Sequence, residues 1–440
     1  MSMSMKARKL IKPSLLLLVC AFTALVLPAT ASHLGPPHVG MVCTTGPTFD
    51  LEATSGYALF PDGNSIFMWS YAPDPTVGSP DPFQFSGPVL CVNEGDMVTV
   101  NLTNYLPEPV SIVFPGQTGV TASGDALGLL TWEAGTSGGT ATYSFVAEEP
   151  GTYLYESGTS PHKQIEMGLF GALIVRPDVE TISDGGGSSG SFGPDYAYND
   201  AATQFDPAKE YLLVTHEIDP ELHAAVEDGI TYDWTTRHDR YWTINGRAFP
   251  DTIAENSAPW LPGQPYGALV QVTAADPGSP GLPALIRYAN AGSENHPFHP
   301  HGNHLRVIAR DGRLLTATAP LGALSGSMEA FTKTIGSGQT YDLQFWWLDV
   351  EIWTQPGAPD VPVILPGTQN VGFKDGLTFY SGDPELGETG DFPPGNTVLN
   401  QCGEYYFPWH SHALNEFQNF DEGFGGLATA LRVDPVSGCP

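Results

Sequence analysis

Short bursts of alternating apolar and polar residues, broken by glycine, proline and asparagine, run through most of this chain. Val89-Leu-Cys-Val-Asn-Glu-Gly-Asp-Met-Val-Thr-Val-Asn-Leu-Thr-Asn104 alternates on both sides of an Asn-Glu-Gly-Asp turn, the period expected when one face of each strand is buried. From about residue 40 to 177, a first unit, the pattern is strand and turn. Asp184-Gly-Gly-Gly-Ser-Ser-Gly-Ser-Phe-Gly193 then has the composition of a flexible coil, and residues 178–206 read as a Gly/Ser-rich linker. A second unit, residues 207–440, opens with runs at 210–216 and 241–247, and further strands are expected at 284–291 and 332–343. Residues 353–400, rich in proline, glycine and acid, read as a long loop before the last strands. The pattern predicts an all-β chain of sandwiches or barrels.

Composition agrees with that reading: 50 glycines and 40 prolines disfavour long helices. The 48 acidic against 17 basic residues give a formal charge of −31, which argues against nucleic acid or an anionic membrane as partner. At the start, Lys6, Arg8, Lys9 and Lys12 precede an apolar run at 15–27 and the small residues Ala29-Thr-Ala31. That order is expected of a cleaved export signal over residues 1–31. The run is too short for a comfortable membrane span, and no later stretch approaches one. Cys20 lies in a poor lipoprotein context. The mature chain is therefore expected to be secreted or periplasmic. It keeps Cys43, Cys91, Cys402 and Cys439, and in an oxidising compartment an even count points to disulfides. Cys43–Cys91 and Cys402–Cys439 are favoured, because each staples a terminal segment to a strand of its own unit; other pairings stay open.

Candidate chemistry concentrates in two histidine-bearing stretches, His296-Pro-Phe-His299-Pro-His301-Gly-Asn-His304 and Trp409-His410-Ser411-His412. Residues i and i+2 of a strand share a face, so His299 pairs with His301 and His410 with His412. Two such pairs on neighbouring strands set four imidazoles around one point, a donor set suited to zinc, copper, iron or nickel. Ser411 points to the opposite face, and His296 goes with it if the strand is regular. Pro300 places the motif at a strand start or a sheet edge.

These stretches resemble the H-P-x-H-x-H-G and closing H-C-H motifs of multicopper oxidases, and 89–104 resembles a strand pair of their first domain. The resemblance covers most of residues 40–435 and implies two cupredoxin-like Greek-key β-sandwich or barrel domains with copper as cofactor. It implies that His299, His301, His410 and His412 help to hold an oxygen-reducing copper cluster, and that His296 corresponds to a ligand of the mononuclear type 1 copper. Three departures stand out. Ser411 replaces the type 1 cysteine. Glu416 falls where a later type 1 histidine is expected, while Leu427 resembles the axial position. In the first domain, Val113-Phe-Pro-Gly116 and Glu156-Ser-Gly158 stand where further histidine pairs belong. A blue copper centre is therefore not expected, since it needs a thiolate with two imidazoles. His296 becomes foremost a structural residue, and it joins His304 and His162 as a secondary metal candidate.

Three functions compete. The first is a divergent copper oxidoreductase acting on a small-molecule or metal-ion substrate. The second is a copper-binding module, and the third a structural cupredoxin-fold module. Two-domain relatives assemble as trimers, so a homotrimer is the expectation by resemblance.

Overall fold

In the computed structural model the alternating stretches are strands. The structure describes residues 39–74, 83–178, 181–183, 189–191, 193, 195–315, 326–348, 371–372, 378–379, 405–423 and 425–434. Expectations for the export signal, for Cys402 and Cys439, and for most of the 353–400 loop fall outside these residues. Along Met97–Asn104, Val98, Val100 and Leu102 are buried while the residues between them are partly exposed. The preceding turn closes as the Asp96 amide donates to the Asn93 carbonyl at 3.1 Å.

Residues 44–176 form two facing sheets. One is five-stranded, in the order Ser65–Pro73, Thr48–Leu59, Met97–Asn104, Gly139–Val146, Thr121–Gly124; the other runs Thr44–Thr45, Leu90–Asn93, Phe170–Arg176, Gly151–Glu156. Phe49, Trp69, Val100, Phe145 and Leu173 are among the residues filling the space between. The C-terminal half repeats the plan. Its six-stranded sheet runs Lys333–Ile335, His296–Pro300, Tyr405–Ser411, Ala428–Asp434, Val270–Ala275, Trp347–Leu348. A seven-stranded sheet built around Glu210–Ile218, Ala284–Asn290 and Thr340–Phe345 faces it.

Glu210–Ile218 is buried at every position, where alternation would leave one face wet. A strand covered on both faces reads as a continuous run, and this one is covered from outside by the first half. Phe85, Cys91, Phe170 and Ile174 pack with Leu212, Val214, Tyr241 and Ala289 in one apolar cluster. An ionic contact crosses the same boundary: Arg176 Nη2 donates to Glu210 at 2.6 Å, and Arg287, which donates to Glu210 at 2.7 Å through Nε, reaches Thr152 with Nη1 at 3.1 Å. The described residues of both halves fall in a single compact unit. Part of the segment read as a linker is also packed, with Tyr198 and Phe205 buried against Leu285 and Ile308.

Cys43 and Cys91 form a disulfide with Cα atoms 5.6 Å apart and a sequence separation of 48. A loop of that length restricts the unfolded chain by about 4 kcal/mol. Paired alanine substitution at Cys43 and Cys91 is expected to lower stability by 2–4 kcal/mol, roughly. Urea unfolding of both proteins checks this; an unchanged midpoint would mean that the bridge does not form.

Candidate metal centre

The His296–Pro300 strand pairs antiparallel with Tyr405–Ser411, with Phe298 opposite Ser411, His299 opposite His410 and Pro300 opposite Trp409. Directly opposed residues share a face. His299 and His410 therefore project together, while Phe298 and Ser411 project from the other side, where Phe298 stacks on Trp409 at 5.5 Å. Pro300 is the strand's last residue, beyond the stretch 296–298 that pairs with Lys333–Ile335, so its missing N–H breaks no ladder on that side. His301 follows, anchored by its amide to the Pro408 carbonyl at 3.0 Å. Gly302 then turns the chain at φ +90°, with Trp347 so close that a Cβ would lie 2.3 Å from its ring. Only glycine meets both conditions.

The four expected rings gather on one face. Ring centroids lie 4.9 Å apart for His299–His301, 5.8 Å for His299–His410, 5.3 Å for His299–His412, 5.1 Å for His301–His410 and 5.9 Å for His410–His412. The face is open: His410 is buried, His299 and His301 are half-buried, and His412 is exposed. Backbone carbonyls select tautomers for two rings. His299 Nδ1 lies 2.7 Å from the Phe331 carbonyl, with the Thr332 hydroxyl at 3.0 Å, and His410 Nδ1 lies 2.7 Å from the Ser411 carbonyl. A carbonyl can only accept, so Nδ1 carries the hydrogen and Nε2 keeps its lone pair, the arrangement typical of metal-ligating histidines. His301 Nε2 sits 3.1 Å from His410 Nε2 and must then be the donor of that pair.

Burial, together with the neighbouring His410, His299 and His412 rings, pushes His301 down to about 4. Burial also lowers His410, reinforced by His299 and His412. Neutral imidazole is the ligating form. Among the described residues no three His, Cys, Asp or Glu side chains are placed to hold one ion as they stand.

On the opposite face His296 is fully buried, and its Nδ1 lies 2.9 Å from Glu416 Oε2. Its Nε2 lies 3.5 Å from Glu217 Oε2. Glu217 shares Arg237 with Glu166 and Asp239, whose oxygens lie 3.3, 2.9 and 3.1 Å from Arg237 Nη2. Burial pushes Glu166 up to about 9 and Asp239 up to about 7, against the pull of Arg237. The chain's pattern did not announce Glu217, which sits on a distant strand. Glu416 had a signal in its count from His412. The other secondary candidates lie elsewhere: His304 is exposed against Phe331, and His162 is exposed on a short helix, edge-on to Trp234 at 4.9 Å. In the first half, Val113 and Glu156 exchange backbone hydrogen bonds of 2.8 and 3.1 Å, and neither stretch 111–116 nor 156–158 contains histidine.

Residues 83–180 match the multicopper oxidase family. Over 98 residues the chain is 37% identical to a laccase of Aspergillus fumigatus, and over 97 residues 40% identical to an L-ascorbate oxidase of Cucumis sativus. Each match takes in 21% of this chain and 16% of the relative, so the chain aligns with about a sixth of those proteins' length. Among solved structures, a blue copper oxidase from Nitrosomonas europaea superposes with a TM-score of 0.54 at 18% identity, covering 88% of this chain and 85% of the other. A structure described as multicopper oxidase mgLAC gives 0.53 at 17% identity, with 88% and 86% covered. These two share the cupredoxin-like fold.

Proposed function

Since residues 83–180 match the multicopper oxidase family, we propose that the chain is a divergent member of it, an exported copper-binding oxidoreductase that uses an imidazole-only site and no type 1 copper. The observation that carries this reading is the convergence of His299, His301, His410 and His412 on one open face, two of them with Nε2 lone pairs selected by backbone carbonyls. Copper bound there would supply one-electron chemistry next to a position open to solvent. The protein's part is to orient the rings, with Phe331 and Thr332 fixing His299. Without a thiolate relay, an electron donor, whether a small molecule or a metal ion, has to reach this face directly. The proposal includes removal of residues 1–31, two domains at 40–177 and 207–440, and a homotrimer; light scattering that reads a monomer would remove the last.

The second reading is a copper-binding module without turnover. It is favoured by the first half, where Val113 and Glu156 meet and neither stretch 111–116 nor 156–158 carries a histidine. Oxygen consumption with phenols or reduced metal ions separates the two readings: turnover supports the oxidoreductase, and binding without turnover supports the module.

Purified protein is expected to show no intense blue absorption at any copper loading, because Ser411 offers no thiolate. Ser411→Cys alone is expected to stay without that band as well, since Glu416 already occupies Nδ1 of His296. Visible spectra across a copper titration check both, and a blue wild-type protein would overturn the ligand assignment.

A further inference from the structure

We propose that His296 is a buried imidazolium clasped between Glu217 and Glu416, and that this clamp is the positioning device for the two histidine-bearing segments. The three side chains join separate pieces of chain. His296 opens the strand that carries His299. Glu416 ends the short 3-10 turn Leu414–Glu416, just past His412. Glu217 sits on Glu210–Ile218 in the other sheet. All three are buried.

The geometry dictates the charge state. A neutral imidazole has one N–H, and here both ring nitrogens face carboxylate oxygens, at 2.9 Å for Nδ1 and 3.5 Å for Nε2. A lone pair directed at a buried carboxylate would leave two like-signed partners facing each other without water, which is unfavourable in a buried site. A second N–H removes that conflict. Burial alone would lower the ring's affinity for a proton, but Glu217 and Glu416 outweigh it and raise His296 to about 9.

The carboxylates are themselves built into the backbone. Glu217 Oε1 accepts from the Ser293 amide and, at 2.8 and 2.9 Å, from the Ser293 hydroxyl and the Glu294 amide. It thereby fixes the loop that leads into His296. Gly292 makes room, since a Cβ there would lie 1.8 Å from Glu217 Oε2. The other charged or titratable groups facing the clamp are Arg237 and His216 beside Glu217, and Tyr288 beside Glu416. Arg237 is the one fixed positive charge among them and is shared with Glu166 and Asp239, so it does not neutralise Glu217 by itself.

The test is nitrogen NMR of the histidine rings in the metal-free, full-length protein labelled with 15N-histidine, the His296 signals being those missing from His296→Gln. Both ring nitrogens of His296 are expected to stay protonated through pH 8. In Glu416→Gln, which keeps the side chain's size, that charge should be lost by neutral pH. A His296 ring that is neutral at pH 7 in the unaltered protein overturns the proposal, and this measurement needs no variant other than the one used for assignment. The positioning role rests on the four-imidazole reading and is read from copper titration. Glu416→Gln should bind copper about tenfold more weakly with the same stoichiometry, as loss of an orienting group commonly does; unchanged affinity overturns that role. Should the unaltered protein bind no copper, the four-imidazole reading fails while the NMR result still decides the clamp.

Discussion

Alanine at His299 and His412 together is expected to abolish copper binding by the purified protein. His299 lies on its strand and His412 just past the end of Tyr405–Ser411, and their rings are 5.3 Å apart, so the pair removes one ligand from each half of the face. Four-ligand structural zinc sites in small peptides, taken as a scale, bind with about 10–16 kcal/mol. If the ligands share that energy, losing two of four weakens binding by at least ~10³-fold. Folding should survive: His412 is exposed and His299 half-buried, and substitutions at such positions usually stay within about 1 kcal/mol. Metal analysis after dialysis, alongside a thermal melt, measures both. A folded double variant that retains wild-type copper would place the metal elsewhere and leave the rings a surface feature.

Much of that face could be read from residue spacing, and some of it could not. Period-two alternation alone puts His299 with His301 and His410 with His412, and sends Ser411 to the other side. That the pairs face each other depends on register, His299 opposite His410, and local sequence does not encode register between strands about a hundred residues apart. Glu217 was invisible for the same reason: nothing around it in sequence distinguishes it from any carboxylate on a buried strand. Only three-dimensional packing shows that it meets His296. The alternation at 97–104 translated directly into buried Val98, Val100 and Leu102. The continuous burial of Glu210–Ile218 came from tertiary cover that no local pattern reports. Cys43 and Cys91 pair as expected.

Acid is expected to destabilise the fold through two buried histidines. His216 and His223 are fully buried, and burial lowers both to about 4 from the ordinary 6.5. His216 Nε2 meets the Ile165 carbonyl at 3.1 Å, and His223 Nδ1 meets the Phe67 carbonyl at 2.5 Å. Between pH 6.5 and 4 the unfolded chain takes up protons on these rings that the folded chain refuses, so stability falls as pH falls through that window. Each ring contributes a loss of about 3 kcal/mol, complete below pH 4. Glu166 and Asp239, raised by burial, act oppositely in part of the same range, so the wild-type profile alone mixes the two effects. A difference measurement separates them, because groups unchanged by the substitution cancel. His216→Gln places an amide near the old Nε2, and His223→Asn places one near the old Nδ1; neither can charge. From pH 7 to pH 4 the wild type should lose about 3 kcal/mol more than either variant, as read from urea unfolding at each pH. Parallel profiles for wild type and variants would mean that these two rings are protonated in the folded protein or reached by water. The carboxylates around Arg237 would then have to account for any acid sensitivity on their own.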